Sequence, residues 1–319
     1  MKYELLIALL AGFLLDCLLG DPQGFPHPII AIGKLISFLE TALRRLFPKS
    51  KGGELAAGAV LWVLTAGISF LLPWGLLYAA GLVSPLLRLA LQSLFCWQIL
   101  AAKSLKTESM KVYTTLKTGT IQDARFAVSR IVGRDTQELD EAAVTRAAVE
   151  TVAENCSDGV IAPMLYFTLG GAPLAFFYKA VNTMDSMLGY VEMPYKNIGC
   201  VPARMDDVFN FIPARLSGLC MLLAGGLLGL DFGNGWKIFR RDRYNHASPN
   251  SAQTESVCAG LLGLQLAGDA YYHGVLHKKK FIGDALRPIE PEDIRRACKL
   301  MYMTTLLMLA LCAAVLAVG

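Results

Sequence analysis

The sequence predicts an all-α fold, a polytopic integral membrane helical bundle with polar helical insertions. Of its 319 residues, 54% are hydrophobic and 18% are charged, whereas a soluble domain carries about 25% charged residues. The mean hydropathy is +0.45, and apolar runs recur along the whole chain without a low-complexity linker between them. We therefore expect a single membrane domain over residues 1–319 with about 4–6 membrane segments, some of them broken or re-entrant.

The net charge and the cysteine content give no support for a nucleic-acid-binding protein or for a disulfide-stabilised one. The formal net charge of +4 gives no argument for nucleic-acid binding and only a weak one for contact with anionic lipid head groups. The eight cysteines include no Cys-x-x-Cys pair, and several lie within apolar runs. Buried, reduced thiols are therefore expected rather than a disulfide framework.

The outer apolar segments are the clearest elements. Leu5 to Leu19 is interpreted as a short span or an embedded anchor rather than a signal peptide, because Asp16 interrupts it and no cleavage site follows. Leu55 to Ala80 and Leu82 to Ala102 are each long enough to cross about 30 Å of hydrocarbon at 1.5 Å per residue, and together they predict a transmembrane hairpin. Leu300 to Val318 is the last predicted span.

Two middle segments leave the topology open. Val160 to Val181 is interrupted by Gly170-Gly171-Ala172-Pro173, and the short Leu216 to Leu230 contains Gly225-Gly226. Each either spans the membrane or forms a broken or re-entrant helix at its glycines. Lysines and arginines flank both ends of the predicted hairpin, which places those ends on the cytoplasmic side. Residues 103–158 and 231–298 are predicted cytoplasmic polar helical insertions.

The first insertion contains a candidate acidic site. A helix is predicted from Thr136 to Asn155, with Asp135 as its N-cap and Glu138 three residues later. On this helix Arg146, Glu150 and Glu154 follow at i, i+4 and i+8, so they share one face. That pattern is typical of a solvated salt-bridge ladder. On spacing alone the ladder is favoured, but Asn155 and Asp158 at the mouth of an apolar segment favour a divalent-cation site as the alternative.

A second polar group lies between the two middle segments. It consists of Lys179, Asn182 and Asp185, followed by Arg204, Asp206, Asp207, Asn210 and Arg215. Charges at membrane depth are costly and commonly functional, although mutual pairing at the interface is the alternative. Asp206 and Asn210 are spaced i, i+4, which suits Mg²⁺ held together with phosphate oxygens.

Weaker signals concern anions and proton transfer. Arg130 and Arg134 flank Gly133 at an expected helix start, where guanidinium groups and free backbone N–H groups favour an anion. His27 lies alone in a proline-rich loop and is either structural or catalytic. Gly33-Lys34 is followed by Leu35, so there is no P-loop, and G-x-S-x-G and H-E-x-x-H are also absent.

The ordered motifs as a set resemble the adenosylcobinamide-phosphate synthase family, membrane enzymes of cobalamin biosynthesis. The resemblance runs nearly end to end and is carried by Gly20-Asp21-Pro22, Pro26-His27-Pro28, Ser129 to Asp135, Arg146 to Gly159, Tyr178 to Gly189, Arg204 to Arg215 and His246 to Ala252. Departures are Met205, where leucine is common, and Thr254-Glu255, where a proline before the acid is expected.

The resemblance implies an ATP-dependent amide ligation that joins (R)-1-aminopropan-2-ol O-phosphate to adenosylcobyric acid. It implies Mg²⁺ and ATP as cofactor and co-substrate, a corrinoid and aminopropanol phosphate as ligands, a lipid bilayer as surroundings and no nucleic acid. We expect a cell-membrane protein with its active face in the cytoplasm, able to associate with other cobalamin-pathway proteins.

Within this resemblance the charged residues receive hypothetical roles. Metal ligation is expected from Glu154, Asp158, Asp185, Asp206 and Asp207. Substrate and phosphate binding is expected from Arg130, Arg134, Lys179, Arg204, Arg215, Asn155, Asn182, Asn210 and Asn250. His27 or His246 is the candidate for proton transfer, and Glu154, Asp185 and Asp206 complete the catalytic set. These carboxylates can share a site only if their segments meet on one face.

Two rival functions come from other classes. Asn182-x-x-Asp185 and Asp206-Asp207-x-x-Asn210 resemble the aspartate-rich motifs of Mg²⁺-dependent membrane prenyltransferases, but Gly189 stands where a further acid is expected. A non-enzymatic transport or assembly subunit would be expected to show inverted repeats, and the sequence contains no such repeat.

Overall fold

The computed structural model describes residues 2–22, 24–190, 192–272 and 274–318. In these ranges the chain is helical, with two short antiparallel strand pairs. The helices are α1 (Lys2–Leu19), α2 (Pro28–Leu46), α3 (Lys51–Val83), α4 (Pro85–Ile99), α5 (Ala102–Thr118), α6 (Ile121–Ser129), α7 (Glu141–Asn155), a π-helix (Cys156–Ile161), α8 (Ala162–Leu188), α9 (Cys200–Leu227), α10 (Phe232–Asp242), α11 (Ser251–Leu262) and α12 (Glu292–Val318).

Five helical stretches of the described chain are long and apolar enough to cross a membrane. They are Lys51–Val83, Pro85–Thr118, Glu141–Leu188, Cys200–Leu227 and Glu292–Val318. The predicted hairpin corresponds to α3 and α4, and the predicted last span lies in α12. The all-α, polytopic membrane class is therefore confirmed, with α1 outside the five.

The chain divides into two compact units, each built from separate stretches of sequence. The first unit comprises Met1–Ala101, Ala162–Asn210 and Leu311–Gly319, and the second comprises Ala102–Ile161 and Phe211–Ala310. Both predicted polar insertions, 103–158 and 231–298, fall within the second unit. Their cytoplasmic placement stays a prediction.

In the first unit, α1 packs on α4, and α3 packs on α2, α4 and α8. The break predicted at Gly170-Gly171 is confirmed, since Gly170 has φ −150° and ψ 21° and Gly171 has φ 66° and ψ −162° inside α8. A Cβ on Gly171 would collide with the side chain of Gln92. Glycine is therefore required there both by the left-handed φ and by the close approach of α4.

At Gly225-Gly226, where the sequence left a spanning or a broken helix open, the helix is not broken. Helix α9 continues through both glycines and ends at Leu227. A Cβ on Gly225 would overlap the side chain of Leu261 on α11. This glycine therefore allows two helices to approach closely instead of interrupting one of them.

The second unit contains α5, α6, α7, α10, α11 and the strand pairs. Strand β1 (Leu266–Ala267) pairs with β4 (Phe281–Ile282), and β2 (Ala270–Tyr272) pairs with β3 (Val275–His277), both antiparallel. Helix α7 begins at Glu141, capped by the Asp140 carboxylate, which accepts the Ala143 N–H at 2.7 Å. The predicted start at Thr136 with Asp135 as its cap is therefore wrong.

Candidate active site

A polar cavity of about 200 Å³ lies in the second unit. We call it the polar pocket. Its charged and polar lining includes Arg134, Glu150, Glu154, Asn155, His246, Glu255, Tyr272 and Lys279. Four of the residues predicted from sequence, Arg134, Glu154, Asn155 and His246, therefore line one pocket.

A buried ion pair forms one wall of the polar pocket. Arg134 Nη2 donates to Glu150 Oε2, and Glu150 Oε1 accepts the backbone N–H of Ala267 at 2.6 Å. Burial by itself lowers the pKa of Arg134, but the charges of Glu150, Tyr272 and Glu255 together outweigh burial and hold that pKa above its ordinary value. Glu150 thus fixes a guanidinium group and a stretch of backbone together.

The backbone that Glu150 fixes is in an unusual conformation. Ala267 has φ 59°, the left-handed region that residues with a Cβ rarely adopt. The next residue, Gly268, has φ 88° and also lines the pocket. Since such backbone persists only where its surroundings hold it, the bond from Ala267 to Glu150 is a structural requirement of this wall.

Glu255 of α11 faces the carboxylates of α7 in the polar pocket, and only 4% of its surface is exposed. Burial raises the pKa of Glu255 well above its ordinary value, and the negative charges of Glu154 and Glu150 raise it further. Arg134 and Lys279 act in the opposite direction but do not cancel the effect. The pocket therefore favours the protonated form of Glu255.

His246 presents a hydrogen-bond donor to the polar pocket. Its Nδ1 accepts the backbone N–H of Ser248 at 3.2 Å. Burial lowers the pKa of His246, and the opposing effect of Glu154 does not reverse this direction. A neutral imidazole whose Nδ1 is an acceptor carries its proton on Nε2.

Lys279 reaches the polar pocket from the residues that follow strand β3. Its Nζ donates to the Tyr272 hydroxyl at 2.8 Å, and its backbone N–H donates to Asp269 Oδ1 at 3.1 Å. The hairpin turn is held by Asp135, whose Oδ2 accepts the Gly274 N–H at 2.7 Å. Asp135 therefore anchors the hairpin that supplies Tyr272, instead of capping α7.

In the first unit, the predicted residues Asn182, Asp206 and Asn210 form a polar cluster with Tyr178 between α8 and α9. We call these four residues the intramembrane polar cluster. The Tyr178 hydroxyl donates to Asn210 Oδ1 at 2.7 Å, and Asn210 Nδ2 donates to Asp206 Oδ2 at 3.0 Å. Asn182 Nδ2 lies 3.4 Å from Asp206 Oδ1. These hydrogen bonds thus link α8 and α9 within their predominantly apolar sequences.

The other predicted residues of the first unit lie near the ends of helices or along α8 and α9. His27 caps α2, since its Nδ1 accepts the Ile29 N–H at 3.2 Å, and its Nε2 lies 3.4 Å from Asp21 Oδ1. Its catalytic role stays a prediction beside this structural one. Lys179 and Asp185 lie on α8, and Arg204 and Asp207 lie on α9.

The remaining predicted residues of the second unit are partly brought together. Arg215 Nη1 donates to Asn250 Oδ1 at 3.2 Å, and Asp158 lies in the π-helix. Arg130 ends α6 as its C-cap and lies 3.9 Å from Glu108. The expected helix start around Gly133 is therefore wrong. This segment follows the end of α6, and a loop separates it from the start of α7.

The predicted metal ligands are distributed over both units. Glu154 and Asp158 belong to the second unit, whereas Asp185, Asp206 and Asp207 belong to the first. Among the described residues, no three His, Cys, Asp or Glu side chains form a group that could hold a metal ion. Mg²⁺ commonly uses one or two carboxylates together with substrate phosphates and water, so metal binding by these residues stays a prediction.

Sequence reasoning missed three lining residues of the polar pocket: Glu255, Tyr272 and Lys279. Glu255 carried a usable signal, because it is the one charged residue in the sequence of α11. Lys279 is the middle of three consecutive lysines, and Tyr272 follows another tyrosine. Nothing in their spacing distinguishes them from solvent-exposed neighbours.

Comparison with known proteins gives a consistent result over nearly the whole chain. A family model described as CobD/Cbib protein matches residues 9–301. The chain is 49% identical over 304 residues to the cobalamin biosynthesis protein CobD of Geobacter metallireducens, covering 95% of this chain and 94% of that protein. It is 45% identical over 302 residues to the protein of the same name from Clostridium perfringens, covering 95% of each.

A third relative carries a different name. The chain is 44% identical over 310 residues to the cobalamin biosynthesis protein CbiB of Salmonella choleraesuis, covering 96% of each chain. No solved structure matches the chain significantly.

Proposed function

Because this chain belongs to the CobD/Cbib family, we propose that it acts in cobalamin biosynthesis as a membrane amide ligase. In the proposed reaction, ATP transfers a phosphoryl group to the free carboxylate of adenosylcobyric acid. The amine of (R)-1-aminopropan-2-ol O-phosphate then attacks the acyl carbon. The C–N bond forms, the bond from that carbon to the phosphate oxygen breaks, and inorganic phosphate leaves.

The polar pocket is the single observation that carries this proposal. It places carboxyl groups and cationic side chains around a cavity of about 200 Å³, which is smaller than the roughly 300–1,000 Å³ typical of drug-sized ligands. Aminopropanol phosphate is a small molecule with an ammonium group at one end and a phosphate at the other. The pocket therefore suits the amine substrate and is too small for the corrinoid.

The lining residues divide into two chemical roles. Lys279 and the Nε2–H of His246 are donors that suit phosphate oxygens. Glu154 and Glu255 are carboxyl groups that suit an ammonium group. His246 is therefore better placed as a donor than as the base, because its acceptor nitrogen already binds Ser248. Proton acceptance from the amine falls to a carboxylate.

Magnesium and ATP remain part of the proposal. Bound Mg²⁺ would neutralise phosphoryl oxygens, and the carboxylates of Glu154, Asp158, Asp185, Asp206 and Asp207 have the oxygen donors that it prefers. Asp206 already accepts an amide hydrogen bond within the intramembrane polar cluster. Of these five residues, Glu154 is the one that lines the polar pocket. Any bound nucleotide is held without a P-loop.

The test is amide formation by the purified full-length protein in detergent. The protein is supplied with adenosylcobyric acid, aminopropanol phosphate and Mg-ATP, and the corrinoid product and ADP are measured by mass spectrometry and a coupled assay. We expect equal amounts of both products. Glu154→Gln and Lys279→Met should lose most of this activity, whereas Glu141→Gln, an exposed acid at the start of α7, should retain it.

Two results would contradict the proposal. One is the absence of amide from folded protein with all substrates present. The other is full activity of both pocket variants, which would move the amine site elsewhere. Release of diphosphate from a prenyl diphosphate donor would instead favour the prenyltransferase.

A further inference from the structure

We propose that a pocket at the turn between α1 and α2 binds the adenosine part of a substrate, with the base stacked on Phe25 and a hydroxyl or amino group bonded to Asp21. We call this cavity the turn pocket. The inference rests on the proposed function, in which ATP and the adenosyl group of the corrinoid are the two sources of adenosine. It gives a role to the motifs Gly20-Asp21-Pro22 and Pro26-His27-Pro28, which the proposed function leaves unused.

The turn pocket is a cavity of about 340 Å³ within the first unit. Its lining includes Asp21, Phe25, His27, Trp97 and Gln98. The volume falls within the roughly 300–1,000 Å³ of small-molecule sites. At the lower end of that range, it suits a nucleoside and excludes the corrin ring.

Two side chains of α4 hold the turn in place. Trp97 Nε1 donates to the Gly20 carbonyl oxygen at 2.9 Å. Gln98 Nε2 donates to the Pro26 carbonyl oxygen at 3.2 Å. Both ends of the turn are therefore bonded to one helix, and a ligand meets a wall that is already ordered.

Phe25 supplies an aromatic surface to the turn pocket. Its ring centroid lies 5.4 Å from that of Trp97, with an angle of 43° between the ring planes. Trp97 is 6% exposed, whereas Phe25 is 44% exposed, so Trp97 supports a ring that a ligand can reach. A supported, accessible aromatic ring is suited to stacking on a planar base.

Asp21 adds a polar group to this aromatic wall. Its Oδ1 lies 3.4 Å from His27 Nε2, and 35% of the Asp21 side chain is exposed. A carboxylate accepts about four hydrogen bonds, so Asp21 can accept from a ligand as well as from His27. Ribose hydroxyls and the amino group of adenine are donors of the kind that it requires.

The charge of the turn pocket decides which part of a nucleotide it takes. Among its described lining residues there is no lysine or arginine, although these are the side chains that pair best with phosphate. The phosphates of ATP and of aminopropanol phosphate are therefore unsuited to it. Of the proposed substrates, only ATP and adenosylcobyric acid carry a planar base with hydroxyl and amino donors.

The position of the turn pocket suits a water-soluble ligand. Trp97 and Gln98 belong to the last turn of α4, which ends at Ile99. This is the end of the hairpin that the sequence predicts to be cytoplasmic. A nucleotide from the cytoplasm can therefore reach the pocket without crossing the bilayer.

The first experiment is equilibrium dialysis of labelled adenosine against the purified full-length protein in detergent. We expect saturable binding by the parent and by the control Phe38→Leu, which changes an exposed phenylalanine of α2. Phe25→Leu keeps an apolar side chain but removes the ring, and it should weaken binding about fivefold or more. Asp21→Asn should weaken binding by a similar factor. Ribose, which lacks the base, should not compete.

The kinetics of amide formation distinguish the two sources of adenosine. Phe25→Leu is assayed with adenosylcobyric acid and with cobyric acid that carries cyanide in place of the adenosyl group. If ATP supplies the adenosine, the KM for ATP should rise with both corrinoids. If the corrinoid supplies it, only the KM for adenosylcobyric acid should rise.

The outcomes separate this inference from the proposed function. No saturable adenosine binding by the folded parent, or equal affinities of the parent and Phe25→Leu, would overturn the inference. Weaker binding in Phe25→Leu but not in Asp21→Asn would also overturn it and favour an apolar occupant such as a lipid tail. Amide formation by Phe25→Leu with both KM values unchanged would overturn the site while the ligase stands. Adenosine binding that both pocket variants weaken, in a protein that forms no amide, would support the site and contradict the ligase.

Discussion

Removing Glu150 from the wall of the polar pocket should destabilise the second unit strongly. The substitution Glu150→Ala deletes two interactions at once, the ion pair with Arg134 and the bond to the Ala267 N–H. The side chains of Arg134 and Glu150 are only 18% and 5% exposed. Arg134 would therefore remain as a largely buried cation without its partner.

The magnitude follows from these two losses. Breaking a buried ion pair by removing one partner costs about 3–5 kcal/mol, and a buried N–H left without an acceptor costs about 1–3 kcal/mol. Because both losses share one side chain and some relaxation follows, we expect about 4–6 kcal/mol in total. At roughly 2–4 °C per kcal/mol for a unit of this size, Tm should fall by about 8–24 °C.

The assay is thermal unfolding of the purified protein in detergent, with Glu141→Gln as the matched control on the same helix. Arg134→Met and the double variant Glu150→Ala/Arg134→Met complete a mutant cycle. If an unpaired guanidinium causes the loss, the double variant should be more stable than Glu150→Ala alone. A Tm for Glu150→Ala within 2 °C of the parent, or strict additivity in the cycle, would refute the reasoning.

Three further predictions concern pH dependence, the kink of α8 and the intramembrane polar cluster. Burial raises the pKa of Glu255, so the protonated carboxyl favours the folded state. Its contribution to the free energy of unfolding is complete below the ordinary pKa of 4.5 and is lost as the pH rises through the raised pKa. The Tm of the parent should decline over that window, and Glu255→Gln should remove this part of the decline; identical profiles would contradict the assignment. Gly171→Ala should destabilise the protein by about 1–2 kcal/mol or more, because φ is 66° and a Cβ meets Gln92. Gly67→Ala, where a Cβ meets nothing within 4 Å, should be neutral or stabilising, and equal thermal shifts would contradict this contrast. Tyr178→Phe removes only the hydroxyl that donates to Asn210 and should cost about 0.6–1 kcal/mol in detergent unfolding; a loss above about 3 kcal/mol would contradict this simple account.

The membrane elements could be predicted from sequence because length and hydropathy alone determine them. The spans of α3, α4 and α12 follow from long, predominantly apolar stretches of sequence. The break at Gly170-Gly171 was also predictable, whereas the helix through Gly225-Gly226 was not. A glycine pair is compatible with a kink or with close helix packing, and only the neighbour Leu261 decides between them.

The sequence indicated which charged residues could form the candidate site, but not which of them lie together. The face shared by Glu150 and Glu154 follows from helical spacing, yet the partner of Glu150 is Arg134 from a loop and not Arg146 of the same helix. Lys279 enters the polar pocket through a short hairpin, which local patterns could not indicate. Long-range pairing of this kind depends on tertiary packing.

The most direct test of the central claim is the dependence of amide formation on each substrate in Glu154→Gln. If the polar pocket holds the amine, the KM for aminopropanol phosphate should rise about tenfold or more, since a charged hydrogen bond contributes roughly 1.5–3 kcal/mol. The KM for the corrinoid should change little, and any change in the KM for ATP would reflect the proposed role of Glu154 as a Mg²⁺ ligand. An unchanged KM for aminopropanol phosphate, with a selective rise for another substrate, would contradict the account.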